Sequence, residues 1–176
     1  MKRKKILKEF LGGIKTFLIA IVIALIINNF LIANAVVISS SMECTIMTDS
    51  RVISSRLAYV IGEPKRFDII MFHPPDDETS IPYVKRIIGL PGEKVEIRSG
   101  KVYIDDSSAP LDDSFIKEEA RGDYGPFAVP KDSYFVLGDN RNGSYDSKNW
   151  VHTFVPKGNI LGKVFVEYFP SPKILE

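Results

Sequence analysis

A mainly β domain standing behind one apolar N-terminal helix is the fold class predicted here, on three observations. Residues 16–38 run for 23 positions without a charge. Beyond Thr45 the apolar residues fall in short runs separated by turn signals, with few stretches of helical period. The length, 176 residues, leaves room for one membrane segment and one domain able to bury a core.

The first element is a basic arm, residues 1–15, in which Lys2, Arg3, Lys4, Lys5, Lys8 and Lys15 face only Glu9. The net charge of +1 therefore hides an asymmetry, since the remainder is acidic by about four charges. That balance excludes a nucleic-acid-binding domain, which needs a basic footprint. It assigns the arm to the cytoplasmic side of a bilayer. Residues 16–38 follow as a transmembrane anchor: as a helix they reach roughly 35 Å, enough to cross about 30 Å of hydrocarbon. With lysines before the span and none just after it, the N-terminus is cytoplasmic and residues 39–176 are extracytoplasmic. Asn28, Asn29 and Asn34 weaken the outer half, which is expected to lie at the interface or to be extended. A rival reading stays open: Ala33-Asn34-Ala35 after an apolar run also matches a signal-peptide cleavage site, leaving Val36 as the mature terminus.

In the outer domain, strands are expected over 51–54, 68–72, 83–88, 94–97, 101–104, 134–137 and 161–169. Ser99-Gly100 reads as a tight hairpin turn, and Leu90-Pro91-Gly92-Glu93 as a type II turn with glycine where φ is positive. Residues 105–125, polar and acidic, read as a surface excursion. Cys44 is the only cysteine, which excludes an intramolecular disulfide and a zinc site built on paired cysteines. No metal or cofactor is expected.

Three stretches carry chemistry. Ser39-Ser40-Ser41-Met42-Glu43-Cys44-Thr45-Ile46 lies where the apolar run gives way to the polar chain, and a serine there needs a base in reach to become nucleophilic. Alternation on the strand from Tyr83 puts Lys85 on a face with Tyr83 and Ile87, and Arg86 with Val84 and Ile88. A lysine held on an apolar face loses hydration, its pKa falls, and the neutral amine becomes a usable base; the alternative is a lysine that snorkels to water. The third stretch, Gly138 to Lys148, is dense in Gly, Asn, Asp and Ser. Pairing of Asp139 with Arg141 and of Asp146 with Lys148 is expected to stiffen it as a supporting shell. A serine triad through His73 or His152 is disfavoured, because neither histidine lies in a recognisable setting.

Together these stretches resemble the type I signal peptidases, membrane-anchored Ser/Lys proteases. The segment 39–46 is similar to their S-x-S-M-x-P-T-L box, and Arg66 to Phe72 to G-D-[IV]-[IV]-x-[FW]. Residues 83–93 match Y-[VI]-K-R-[VI]-[VI]-G-x-P-G-[DE], and 138–148 match G-D-N-R-x-x-S-x-D-S-R. The resemblance implies an antiparallel β-sheet catalytic domain that cleaves signal peptides of secreted preproteins, at a bacterial cell membrane and near the secretion translocon. It implies Ser41 as nucleophile, Lys85 as general base, and Ser39 with the Ser41 amide as oxyanion hole. Ser144 would orient the lysine, Asp146 would brace its loop through residue 148, and Asp139 and Arg141 would hold that loop. A self-cleaving Ser/Lys repressor, an impaired paralogue and a membrane-tethered β binding module are the alternatives. Four positions depart from the family pattern: Cys44 stands for proline, Ser40 for glycine, Lys148 for arginine and Val151 for glycine. The first two are expected to loosen the loop around Ser41, and Lys148 to lose the bidentate pairing with Asp146 that arginine makes.

Overall fold

The computed structural model describes residues 2–76, 79 and 81–175. Met1 and the side chains of residues 2–9, Asn28 and Asn29, on which part of the basic-arm and weakened-span expectations rests, lie outside it.

The long apolar stretch is not one helix. Helix α1 runs over Lys2–Ile26 and loosens into a π-helical turn at Ile27–Leu31. The chain then becomes strand β1, Ile32–Val36, antiparallel to β2, Arg51–Ser55. No helix among the described residues is long and apolar enough to cross a membrane. The switch follows the sequence: Ile32, Val36 and Val37 favour extended backbone, and Ser54 caps the pairing by donating to Ala33 O at 3.2 Å. The Ala33-Asn34-Ala35 triplet is thereby built into a sheet, and cleavage after it would delete an edge strand.

A single helical turn, α2, Ala58–Ile61, leads to β3, Ile69–Phe72, β4, Tyr83–Gly89, β5, Lys94–Arg98, and β6, Lys101–Ile104. Then come β7, Tyr124–Ala128, β8, Ser133–Leu137, β9, Val155–Pro156, β10, Ile160–Phe169, and β11, Lys173–Ile174. The larger sheet has the order β1-β2-β10-β3-β4-β8-β9 with β11 on β10, and β6-β5-β7 form a second sheet. Every pairing in both is antiparallel.

The domain is mainly β as expected, and the seven expected strands form within a residue or so of their bounds. Both turns form as read, with Gly92 at φ +87 and Glu93 N–H donating to Leu90 O at 3.1 Å. Ser99 and Gly100 both have positive φ, the signature of a type I′ hairpin. Four strands were not foreseen: β1, β7, β9 and β11. The excursion over 105–125 ends inside β7 and is tied down, since Arg121 N–H donates to Asn142 Oδ1 at 3.1 Å and Asn142 Nδ2 donates to Glu119 O at 3.1 Å.

Strand β3 is wholly buried and β4 nearly so, which puts the middle of the sheet under cover on both faces. One core cluster gathers Met42, Ile46, Ile69, Met71, Val84, Val164 and Leu175. A second holds Ile70, Phe72, Ile87, Val136 and Trp150. Met42 and Ile46 after Ser41, and Val37 four residues before it, are therefore fixed by core packing, and strand β4 brings Lys85 to the same place.

Candidate active site

The segment around Ser41 is a 3-10 turn, Ser40–Met42, closed by Glu43 N–H donating to Ser40 O at 3.0 Å. Met42 and Ile46 are fully buried, and the amides of Thr45 and Ile46 both donate to Met42 O, at 3.0 and 2.8 Å. This loop is pinned, contrary to the expectation that losing proline and glycine loosens it. Cys44 has φ +80. A proline ring fixes φ near −65°, so this backbone has no room for the proline of the family pattern.

Lys85 reaches the turn from β4. Its Nζ donates a hydrogen bond to Ser41 Oγ across 44 residues of sequence, and it is 3% exposed. Among the described residues no carboxylate stands within ion-pair distance of it. Burial lowers its pKa from 10.5 to about 8; the carboxylate of Asp146 opposes the drop, Lys148 adds to it, and Asp139 opposes it. The Tyr83 ring lies 5.7 Å from Nζ, on the face that alternation assigned to both residues. The snorkelling alternative is thereby answered: the amine ends at a serine, out of water.

Ser39 Oγ lies 3.1 Å from Ser41 Oγ. Ser144 is buried beside Gly138, where an added Cβ would stand 2.3 Å from Ser144 Oγ and 2.3 Å from Ser41 O. Ser144 Oγ has no hydrogen-bond partner among the described residues. The loop thus brings Ser144 to the site, but no bond from its hydroxyl to Lys85 is formed in this state.

The supporting charges pair differently from the expectation. Asp139 does not pair with Arg141. It accepts from Arg86 Nε at 2.9 Å and Arg86 Nη2 at 2.7 Å, an almost wholly buried bidentate pair. Arg86 also donates to Phe67 O at 2.8 Å and stacks on Phe115 at 4.4 Å. Arg141 pairs with Asp113 of the excursion at 3.1 Å. Asp146 does pair with Lys148, and more fully than expected: Nζ lies 3.0 Å from both carboxylate oxygens and donates to Ser144 O at 3.0 Å. An ammonium with three donors bridges both oxygens where a guanidinium would present a fork. Asp146 Oδ2 also accepts from Gly138 N–H at 3.0 Å.

Sequence reading missed Asn140. Its N–H donates to Ser41 O at 3.0 Å and its Nδ2 to Ser40 O at 3.1 Å, so it splices the supporting loop onto the serine turn. Its place within the Gly138 to Lys148 stretch was the available signal. The histidines stay apart: His152 Nδ1 lies 2.5 Å from Asp76 Oδ1 on exposed loops, and His73 exchanges backbone and side-chain bonds with Asn159.

A groove of about 270 Å³ opens over Ser41 and Lys85. One wall is the segment that continues β1 to the serine turn, and the other is Ile81-Pro82-Tyr83 at the start of β4. Strand β1 is the outer strand of its sheet, and β8 pairs with β4 only from Arg86 onward. The first wall thus leads from the outer strand of the sheet, and β4 enters the second wall before β8 joins it. Among the described residues no group of three or more His, Cys, Asp or Glu is placed to hold a metal.

Residues 11–169 match the family described as signal peptidase, peptidase S26. A probable signal peptidase I-2 of Synechocystis is 39% identical over 91% of this chain and 73% of its own length. A signal peptidase I of Leptolyngbya laminosa is 38% identical over 93% of this chain and 82% of its own. Signal peptidase I S of Bacillus subtilis is 37% identical over 93% and 91%. A solved signal peptidase I from Enterococcus faecalis, 36% identical, aligns with 58% of this chain and 97% of its own at a TM-score of 0.47. By the extent of the family match and of the sequence relatives, the chain belongs to the signal peptidase family, peptidase S26.

Proposed function

We propose that this protein is a serine endopeptidase that removes signal peptides from exported preproteins, with Ser41 as nucleophile and Lys85 as general base. The observation that carries the reading is the buried lysine donating to a serine hydroxyl with its pKa lowered to about 8. At that value a usable fraction of the amine is neutral near physiological pH, and the neutral amine takes the Ser41 proton as Oγ attacks the scissile carbonyl. The tetrahedral oxyanion is held by the Ser41 amide and the Ser39 hydroxyl. Lys85 then protonates the leaving amine and activates water for deacylation. Ser144 orients the amine once it turns from Ser41, its free buried hydroxyl being available for that bond. Asp139, Arg141 and Asp146 keep the loop beneath in place.

The substrate enters the groove as an extended strand between the segment that continues β1 and the start of β4, with its small side chains in the shallow pocket over Ser41. Anchoring is by α1, whose apolar side chains from Phe10 to Ile26 are exposed around the helix and suit a lipid environment. The orientation is N-terminus cytoplasmic and domain extracytoplasmic at a bacterial cell membrane, near the translocon. Confinement of enzyme and substrate to one plane raises effective concentration.

Cleavage of a synthetic signal peptide by the detergent-solubilised protein tests this reading. Wild type is expected to cut, and Ser41→Ala and Lys85→Ala are expected to be inert. If all three behave alike, a non-catalytic membrane-tethered module or an impaired paralogue is the answer instead. Removal of the Ser39 hydroxyl is expected to slow kcat by about two to three orders of magnitude, as for other oxyanion donors; near-normal turnover of Ser39→Ala would remove Ser39 from the oxyanion hole.

A further inference from the structure

The loop that carries Ser41 is closed at its base by Val37 N–H to Ser50 O at 2.8 Å and Asp49 N–H to Val37 O at 2.7 Å. Its far side is tied to the C-terminal hairpin. Glu167 on β10 is 1% exposed and accepts from Ser50 Oγ at 2.7 Å. Its second oxygen lies 3.0 Å from Lys173 Nζ, without the alignment of a hydrogen bond. Lys173, which faces Glu167 in the β10–β11 register, donates to Thr45 O at 2.6 Å. Leu175 is held by its N–H to Phe165 O at 2.9 Å and is buried in the cluster that contains Met42 and Ile46.

A carboxylate this deep is tolerated only when paired, so Glu167 holds Lys173 in place and Lys173 in turn holds the Thr45 carbonyl. Thr45 sits inside the turn whose amides bond back to Met42, the residue after Ser41. Beside it, Cys44 carries a left-handed backbone unfavourable to a residue with a Cβ, and such a conformation persists only where its surroundings enforce it. We infer that Glu167 and Lys173 are positioning residues: through the Thr45 carbonyl they fix the serine turn, so that Ser41 Oγ stays in line with Lys85. The catalytic consequence rests on the proposed Ser/Lys reading, while the mechanical link does not.

Two measurements on the full-length, detergent-solubilised protein separate these. Hydrogen exchange of the Thr45 and Ile46 amides reads the turn whether or not the protein is a protease. Lys173→Met is expected to speed their exchange at least tenfold with no change in the amides of β3 and β4. Signal-peptide cleavage reads the consequence: kcat is expected to fall about ten- to a hundredfold at unchanged KM, as misplacement of a reacting group by up to about 1 Å does. Lys173→Arg, which keeps a cation and a donor, is expected to restore both, and Lys131→Met at an exposed site to alter neither. Unchanged exchange in Lys173→Met overturns the positioning role. So does a loss shared equally by Lys173→Arg, or one accompanied by faster exchange in β3 and β4. A wild type that cuts no signal peptide while the exchange result holds defeats the protease reading and leaves the mechanical link standing.

Discussion

Lys85 and Arg86 are consecutive on one strand and almost equally buried, at 3% and 4% exposure, yet they end in opposite electrostatic states. Arg86 turns to Asp139 and forms a bidentate ion pair, so its charge is matched where it lies. Lys85 turns to a serine hydroxyl and, among the described residues, meets no carboxylate at contact distance, so burial weighs on the charged form and the pKa falls to about 8. Burial alone does not make a base; burial without a matched counter-charge does. At pH 7 a group at about 8 is neutral about one time in ten, against about one in several thousand at 10.5.

The sharpest way to break this comparison is to remove each cation in turn. Lys85→Met is expected to cost about four orders of magnitude in kcat, the upper range for general-base catalysis. The same variant is expected to be more stable. In the unfolded chain the lysine titrates near 10.5, so between about pH 8 and 10.5 the unfolded state binds the extra proton and wild-type stability rises with pH. Below pH 8 the folded protein carries the full cost of the buried charge, about 3 kcal/mol, which methionine relieves. Urea unfolding at pH 7 and pH 10.5 measures this, and an unchanged or lower midpoint at pH 7 would contradict it.

Arg86→Met is expected to do the reverse to stability, lowering it by about 3–5 kcal/mol because Asp139 is left buried and unpaired. The double variant Arg86→Met with Asp139→Asn is expected to recover most of that loss in the same unfolding assay. If the single variant unfolds like wild type, the pair is not what sets the two neighbours apart.

A smaller effect concerns Lys148, whose charge helps to lower the Lys85 pKa while Asp146 raises it. On the proposed reading the base acts when neutral, so kcat/KM is expected to rise with pH and to level off above about 8. Replacing Lys148 by methionine removes a repulsive cation and frees the Asp146 carboxylate, and both changes move the rising limb to higher pH. A limb displaced to lower pH would show that Lys148 acts on the loop and not through its field.

Much of this site was legible in the sequence. The alternation along 83–88 was enough to separate Lys85 from Arg86, because two adjacent residues on a strand must face opposite ways. Ser41 and the Gly138 to Lys148 loop were legible through their matches to an ordered set of motifs. The partners of Asp139 and Arg141 were not, because residues two apart in a loop were assumed to pair, whereas tertiary packing put Arg86 and Asp113 closer. Strand β1 was hidden in an apolar run whose composition suits a membrane helix as well as an extended strand, and β7 was masked by its internal Gly125-Pro126. Asn140 was marked only by its place in the Gly138 to Lys148 stretch, its partners lying about 100 residues away, and the contacts of Glu167 with Ser50 and of Lys173 with Thr45 span more than 100 residues with no motif to mark them.

Gly138 has no side chain, and the serine turn and the supporting loop meet in the space a methyl group would take. A single added carbon there would drive Ser144 and the Ser41 carbonyl apart while leaving Ser39, Ser41, Lys85 and Ser144 all in the sequence. On the proposed reading, Gly138→Ala is thus a route to a silent relative that an inventory of the proposed catalytic residues would still count as active. In telling working copies from decayed ones, the missing atom at position 138 is as informative as the hydroxyl at 41.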